Sequence, residues 1–153
     1  QPAIPDFTYQ NNDEAREKIS HGELVTVGDM GYLDEDGYLF VCDRISDMVI
    51  SGGVNIYPAE TENAILQLDG IVDCAVFGIP DNEYGESLLA LVQLKEGSTL
   101  EASTIEDHLR KQLAGYKVPR ALKFTDQLPR DDNGKVAKRK LREQYWENAE
   151  RRI

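Results

Sequence analysis

At 153 residues the chain has room for one compact domain, or for one domain with a piece of another attached. Its 28 acidic and 17 basic residues leave a formal net charge of −11, which speaks against a general nucleic-acid surface, because neutralising phosphates needs clustered lysine and arginine. No apolar run approaches the ~18 residues of a membrane span, and Gln1-Pro2-Ala3-Ile4-Pro5 has neither the basic region nor the apolar core of a secretory signal. A soluble, cytoplasmic protein is therefore expected.

The first stretch, to about residue 20, is polar and aperiodic except for Asn12–Ile19, which reads as a short helix capped by Asn12 or Asp13. Glu23–Val27 reads as a strand. Met30–Leu33 and Tyr38–Cys42 then flank Asp34-Glu35-Asp36-Gly37, and Asp-Gly closing a tight loop between such runs predicts a β-hairpin. A further apolar run, Met48–Ile50, stops at Ser51-Gly52-Gly53, where paired glycines permit positive φ or a close approach of backbone to ligand. Pro58 suits the first turn of a helix, where Glu60 and Glu62 favour the helix dipole. Ile65, Leu68 and Ala64 give that helix, to about Leu68, one apolar face.

Ile71–Ile79 and Ser87–Leu94 are rich in Val, Ile, Leu and Phe between turn-forming pairs, and are expected to pair as the centre of a small sheet. Ser103 and Glu106 have capping-box spacing, and Ile105, Leu109 and Leu113 repeat every four residues, predicting a helix over about 103–114. His108 points off that stripe and, like His21, reads as a solvated surface residue. Gly115-Tyr116-Lys117-Val118-Pro119 ends the helix, Arg120–Leu128 reads as a strand, and Asp131-Asp132-Asn133-Gly134 is a turn that presents Lys135. A last helix runs from Val136 to about Ala149, anchored by Leu141, Tyr145 and Trp146. Cys42 and Cys74 both lie in apolar stretches and read as buried, reduced thiols. The fold class that follows is α+β: a small, mainly antiparallel sheet of about three strands packed with about three helices and preceded by a β-hairpin.

The order Gly28-Asp29, Gly31-Tyr32, Asp36-Gly37-Tyr38, Asp43-Arg44, Gly52-Gly53, Asn55-Ile56-Tyr57-Pro58 and Glu60 resembles the hinge region of the adenylate-forming enzymes, specifically the AMP-forming acyl-CoA synthetases. Leu128-Pro129-Arg130-Asp131-Asp132-Asn133-Gly134-Lys135, with Lys138, Arg139 and Leu141 behind it, resembles that family's C-terminal lysine motif, and Ile79-Pro80-Asp81 and Gly85-Glu86 stand between them as the family also has. The likeness covers nearly the whole chain from His21 onward.

What the resemblance implies is a two-step ligase. A carboxylate attacks the α-phosphate of ATP, giving an acyl-adenylate and pyrophosphate, and the thiol of CoA then displaces AMP. Lys135 matches the adenylation lysine, whose ammonium bridges carboxylate and phosphate oxygens. Asp29 matches the ribose-binding aspartate and Arg44 a nucleotide contact near ribose and phosphate. Ser46 stands at the domain hinge where the family usually has Asp or Lys, a departure that removes a charge and gives Asp47 a share in the role. Gly52 and Gly53 match the loop lining the CoA tunnel; Lys117 lies in a segment whose family analogue is near the CoA path, and two readings stay open for it, a solvated surface lysine first and a contact to a CoA phosphate second. Mg2+ would travel with ATP, with no metal site of the chain's own. Asp131 and Asp132 are possible charge partners for Lys135 when its loop is open. Asp131 also replaces the Ser or Thr of the pattern in which some relatives are acetylated, which speaks against such regulation here.

The chain opens on Gln and lacks the family's phosphate-gripping loop, so it is expected to be the C-terminal part of a longer enzyme. Residues 1–43 would be the tail end of the large N-terminal domain, stripped of its neighbours and poorly ordered at the start; 44–153 would be the mobile C-terminal domain. Its partners would be its own N-terminal domain, the acid, ATP and CoA, with no nucleic acid and no membrane span. Alone it is expected to fold but be inactive, because half of the nucleotide site is missing. Two other readings stay open: an amino-acid-activating domain of a peptide synthetase, which shares the motifs, and a non-catalytic acidic interaction module that has kept the fold.

Overall fold

A computed structural model describes residues 10, 13–22 and 24–147, which form two compact units dividing between Ser46 and Asp47. In the first, helix α1 (Asp13–Lys18) leads into a minimal antiparallel pair, β1 (Ser20–His21) and β2 (Leu24–Val25). The proposed cap at Asn12 and the start of the strand at Glu23 lie outside the described residues, as do residues 1–9 of the opening stretch expected to be poorly ordered. The hairpin forms as the Asp-Gly signal predicts, from β3 (Asp29–Leu33) and β4 (Leu39–Arg44). Its turn is closed by the Asp34 carboxylate, which accepts the N–H of Asp36 at 3.0 Å and of Tyr38 at 2.8 Å. Tyr32 and Phe40 face each other across the ribbon with ring centroids 5.2 Å apart. Within its unit this two-stranded ribbon buries neither face, so Cys42, expected inside, is exposed.

In the second unit a five-stranded sheet runs β6-β5-β8-β7, with β9 beside β8. The long antiparallel hairpin of β7 (Ile71–Asp81) and β8 (Gly85–Leu94) is its centre, as expected and two residues longer at the turn. Strand β5 (Val49–Ser51) joins β8 at Ser51 and Gly85, and pairs with β6 (Val54–Ile56). The last strand, β9 (Ala121–Thr125), is shorter than Arg120–Leu128 and lies parallel to β8. A parallel neighbour follows from the connection, since the chain crosses over through helix α3 (Ala102–Gln112) before returning to the sheet.

Both faces of the central hairpin are covered, and period-two alternation sorts its side chains between them. Cys74 and Val76 of β7, with Leu88, Ala90 and Val92 of β8, pack under helix α2 (Pro58–Ile65) and α3 through Ala64, Ile65, Ile105 and Leu109. Ala75, Phe77 and Leu89 face the other way, onto Leu128 and Leu141 of helix α4 (Lys138–Trp146). Burial pushes the Cys74 thiol up to about 12, so it is an inert core group. Trp146 donates its indole N–H to the Gly78 carbonyl at 3.1 Å, and Arg142 meets the buried Glu86 carboxylate at 3.3 and 3.4 Å, so α4 is pegged to the sheet by polar contacts as well.

Three helical details differ from expectation. Ser103 is not a cap: Glu101 takes that position with no side-chain cap bond, because α3 begins at Ala102 and places Ser103 inside its first turn. His108 is not simply solvated, since its Nε2 lies 3.0 Å from the Ala64 carbonyl oxygen and so ties α3 to α2. Helix α2 ends at Ile65, before Leu68, and α4 starts at Lys138, two residues after Val136.

Candidate functional site

Asp29 and Arg44 begin and end the β3–β4 ribbon and are direct cross-strand partners, with Arg44 Nε 3.9 Å from Asp29 Oδ1. The ribbon therefore brings a carboxylate and a guanidinium together at its open end. Both are well exposed, so their mutual attraction is screened and each retains capacity for another partner. Ile45 N–H closes this end on the Gly28 carbonyl at 2.8 Å, and Ser46 follows, exposed in a single 3₁₀ turn (Ile45–Asp47) that spans the junction between the two units.

Gly52 and Gly53 are the two central residues of a tight turn joining β5 to β6, with Ser51 opposite Val54. Their φ angles are 57° and 82°, the pair of positive values that a type I′ hairpin turn demands. Only the glycines were singled out from the sequence; Gly-Gly between Val49-Ile50-Ser51 and Val54-Asn55-Ile56 is also a hairpin signal, and β6 was legible there. The turn is braced by Tyr84, in the β7–β8 connection: Gly52 N–H donates to the Tyr84 carbonyl at 2.9 Å, and a Cβ at Gly52 would stand 3.0 Å from the Tyr84 ring. Arg120 stacks on that ring, 4.1 Å from its centroid, and reaches Asp81 at 3.6 Å. Asp81 in turn accepts the N–H groups of Tyr84 and Glu83, which hold its carboxyl below the usual carboxylate range. No sequence signal pointed to Tyr84 or Arg120, because their contacts join elements distant along the chain.

Lys117 is neither solvated nor free to roam. Its ammonium is held by the Glu60 carboxylate at 2.6 and 2.8 Å, and this hydrogen bond raises its pKa above the usual lysine value. Thr61, next along α2, is fully buried and donates to the Lys117 carbonyl at 2.9 Å. A hydroxyl therefore stands at an apolar position of the helix because it has a backbone oxygen to meet.

Lys135 lies on a tied loop. The Asp131 N–H donates to the Lys135 carbonyl at 2.8 Å, and Arg130 forms an antiparallel β-bridge with Val136. The Asp131 carboxylate, anticipated as an ion-pair partner for Lys135, instead accepts the backbone N–H groups of Asn133 and Lys135, each at 2.9 Å. Behind the loop, Lys138 donates to the Glu62 carboxylate at 2.8 Å, and that carboxylate also accepts the Val76 N–H at 2.7 Å. Beneath it, Arg130 donates to the Gly134 carbonyl at 2.9 Å and to Asp73 Oδ2 at 2.5 Å. Lys135 itself is exposed, and among the described residues no carboxylate is within ion-pair distance of its ammonium.

The two loops occupy opposite ends of one hairpin. Arg130 ties the Lys135 loop to Asp73, near the start of β7, whereas Tyr84 ties the glycine turn to the connection that follows Asp81 at its end. Eight residues of strand separate these anchors, roughly 25 Å.

An α+β domain carrying such a lysine loop and glycine turn has known counterparts. Residues 60–135 match the model of the AMP-binding enzyme C-terminal domain. An octahydro-indenyl-propanoyl:CoA ligase of Rhodococcus jostii (strain RHA1) is 49% identical over 117 residues, covering 76% of this chain and 23% of the ligase. A feruloyl-CoA synthase of an Amycolatopsis species is 42% identical over 137 residues, 90% of this chain and 28% of the synthase. The ATP-bound crystal structure of MatB from Rhodopseudomonas palustris superposes with a TM-score of 0.79 at 38% identity, over 86% of this chain and 26% of that one. The chain thus spans about a quarter of the length of the curated relatives it matches. It belongs to the AMP-binding, adenylate-forming enzymes, whose C-terminal domain it carries.

Proposed function

We propose that the chain is the C-terminal part of an ATP-dependent carboxylic acid–CoA ligase, with 1–43 closing a large N-terminal domain and 44–153 forming a domain that reorients between two half-reactions. The observation that carries this reading is the separation of the two loops: an exposed ammonium, without an ion-pair partner among the described residues, tied to one end of β7 and a side-chain-free turn tied to the other. Two loops anchored at strand positions roughly 25 Å apart are poorly placed to serve one reacting centre in a single pose. One rigid domain that turns can bring each in at its own step.

In the first step, an oxygen of the substrate carboxylate attacks the α-phosphorus and pyrophosphate leaves, which gathers negative charge on both reactants. Lys135 supplies the cation that bridges them, and its loop is held in advance, so little ordering is left for the moment of reaction. Asp29 accepts two ribose hydroxyls and Arg44 contacts the ribose–phosphate side, each exchanging the other for the nucleotide. In the second step the Gly52–Gly53 turn lines the path of the CoA thiol arm, and Ser46, in the 3₁₀ turn where the units join, takes up the φ/ψ change. Lys117 would meet a CoA phosphate only in competition with Glu60. Screening of the phosphate charge would come from Mg2+ carried in with the nucleotide, with no residue of this chain assigned to hold it.

The test uses the longer protein with Lys135→Ala, assaying adenylation by pyrophosphate release and the thioester step from pre-made acyl-adenylate. Adenylation is expected to fall about 100- to 1,000-fold while thioester formation survives. Retention of both steps would mean that the lysine loop is structural.

A further inference from the structure

Arg130 has no role in the reading above, yet its guanidinium makes a contact that joins the tip of the lysine loop to the sheet. One arm donates to the carbonyl of Gly134, the residue before Lys135, at 2.9 Å, and the other donates to Asp73 Oδ2 at 2.5 Å. Asp73 is itself held, because its Oδ1 accepts the Cys74 N–H at 2.9 Å from within β7. We infer that the Arg130–Asp73 bridge is the positioning device for Lys135, fixing the Gly134–Lys135 peptide relative to the sheet so that the ammonium is delivered to one place in the adenylation pose.

The argument turns on which groups the bridge joins. The loop's own bonds, from Asp131 Oδ1 to the N–H groups of Asn133 and Lys135 and between Asp131 and Lys135, fix its internal shape but not its tilt. On either side of it Leu128 and Val136 pack with Leu141 in the core under α4, and Lys138 meets Glu62, so the loop's flanks are held, but none of these contacts reaches the Gly134 carbonyl within the turn. The guanidinium fork reaches the loop carbonyl with one nitrogen and the sheet carboxylate with the other, whereas a lysine offers a single point charge. The pair is also partly exposed, at 44% for Arg130 and 24% for Asp73, so it contributes little to the stability of the fold. A contact that adds little stability but aims a catalytic group is expected to show itself in rate.

This inference rests on the assignment of Lys135 to the adenylation step, and the experiment separates the two. In the longer protein, Arg130→Ala, Arg130→Lys, Asp73→Asn and the Arg130→Ala/Asp73→Asn double variant are compared with Lys135→Ala, measuring kcat and KM of adenylation, the thioester half-reaction from acyl-adenylate, and thermal unfolding. Arg130→Ala and Asp73→Asn should each lower the adenylation kcat about ten- to a hundredfold with KM for acid and ATP little changed. The thioester rate and the unfolding temperature should stay near those of the parent. The double variant should be no worse than either single one, since both break the same bridge, and Arg130→Lys should recover part of the loss. Adenylation that survives Arg130→Ala but not Lys135→Ala overturns the positioning role. A parallel fall of both half-reactions with the unfolding temperature overturns it too, as the bridge would then be merely structural. If Lys135→Ala leaves adenylation intact, the assignment of the lysine fails first, whatever Arg130 does.

Discussion

Alanine at Gly53 and alanine at Gly52 are expected to cost different amounts, and the difference measures the brace on the turn. Both residues have positive φ, 82° and 57°, a conformation that costs an L-residue about 1–2 kcal/mol. At Gly53 an added Cβ meets nothing within 4 Å, so that strain is the whole cost. At Gly52 the Cβ would lie 3.0 Å from Tyr84 Cδ1, and the ring cannot simply yield, because Arg120 stacks on it and the Tyr84 backbone is bonded to both Gly52 and Asp81. Displacing it adds about 1 kcal/mol, so Gly52→Ala should cost roughly 2–3 kcal/mol and Gly53→Ala roughly 1–2. Urea unfolding of the 153-residue chain reads both, and the excess at Gly52 should disappear in a Tyr84→Ala background. If Gly53→Ala costs as much as Gly52→Ala, or if the excess survives removal of the ring, Tyr84 does not brace the turn.

Gly78→Ala tests the other close approach: its Cβ would sit 2.0 Å from Glu86 Oε2 and 3.0 Å from Val49 Cγ1. It must displace the buried carboxylate from Arg142, so a loss of about 3 kcal/mol or more is expected in urea unfolding, and a loss below about 1 kcal/mol would mean the strands part easily. The Asp81 carboxyl is held below its ordinary value of 3.8, first by the Tyr84 N–H. Its contribution is therefore complete above pH 3.8 and is lost as pH falls from there through the depressed folded-state value. Asp81→Asn should flatten stability against pH in that acid window and leave the slope near neutrality unchanged; an identical acid limb in the variant would rule Asp81 out as its source.

What the residues revealed beforehand divides along a physical line. Local chemistry was legible: Asp36-Gly37 closed its hairpin, Pro58 opened its helix, and Ile105 and Leu109 marked the buried face of α3. The two long apolar runs were legible as strands because both faces are covered along most of their length, Val72 being an exposed exception. What escaped was set by tertiary contact. His108 sits off the apolar stripe yet finds the Ala64 carbonyl, Thr61 stays buried through the Lys117 carbonyl, and Cys42 is exposed because its ribbon buries neither face in its unit. Ser103 had the residue type and spacing of a cap, but the helix began one residue ahead of it, a shift that spacing alone does not detect. The motif residues were legible as a set through resemblance; the side chains that hold them, Arg130, Tyr84 and Arg120, were not, since each acts across a long stretch of sequence.

Under the proposed function, the holding residues explain how a single small domain would suit two chemical steps. A loop that merely wandered could reach many poses, but each would cost ordering at the moment of reaction. Here the lysine loop and the glycine turn are each tied to the same pair of strands, by Arg130 to Asp73 and by Tyr84 to Gly52. The hairpin between them is the most deeply buried part of the unit, with Ala75, Val76, Leu89, Ala90 and Val92 fully enclosed. In the proposed mechanism this packed hairpin would hold the two loops apart, so a motion bringing one into a reacting centre would carry the other out. Under the proposed mechanism, exclusion of Lys135 from the thioester step then needs no second switch, because it follows from rotating one rigid body about the turn at Ile45–Asp47.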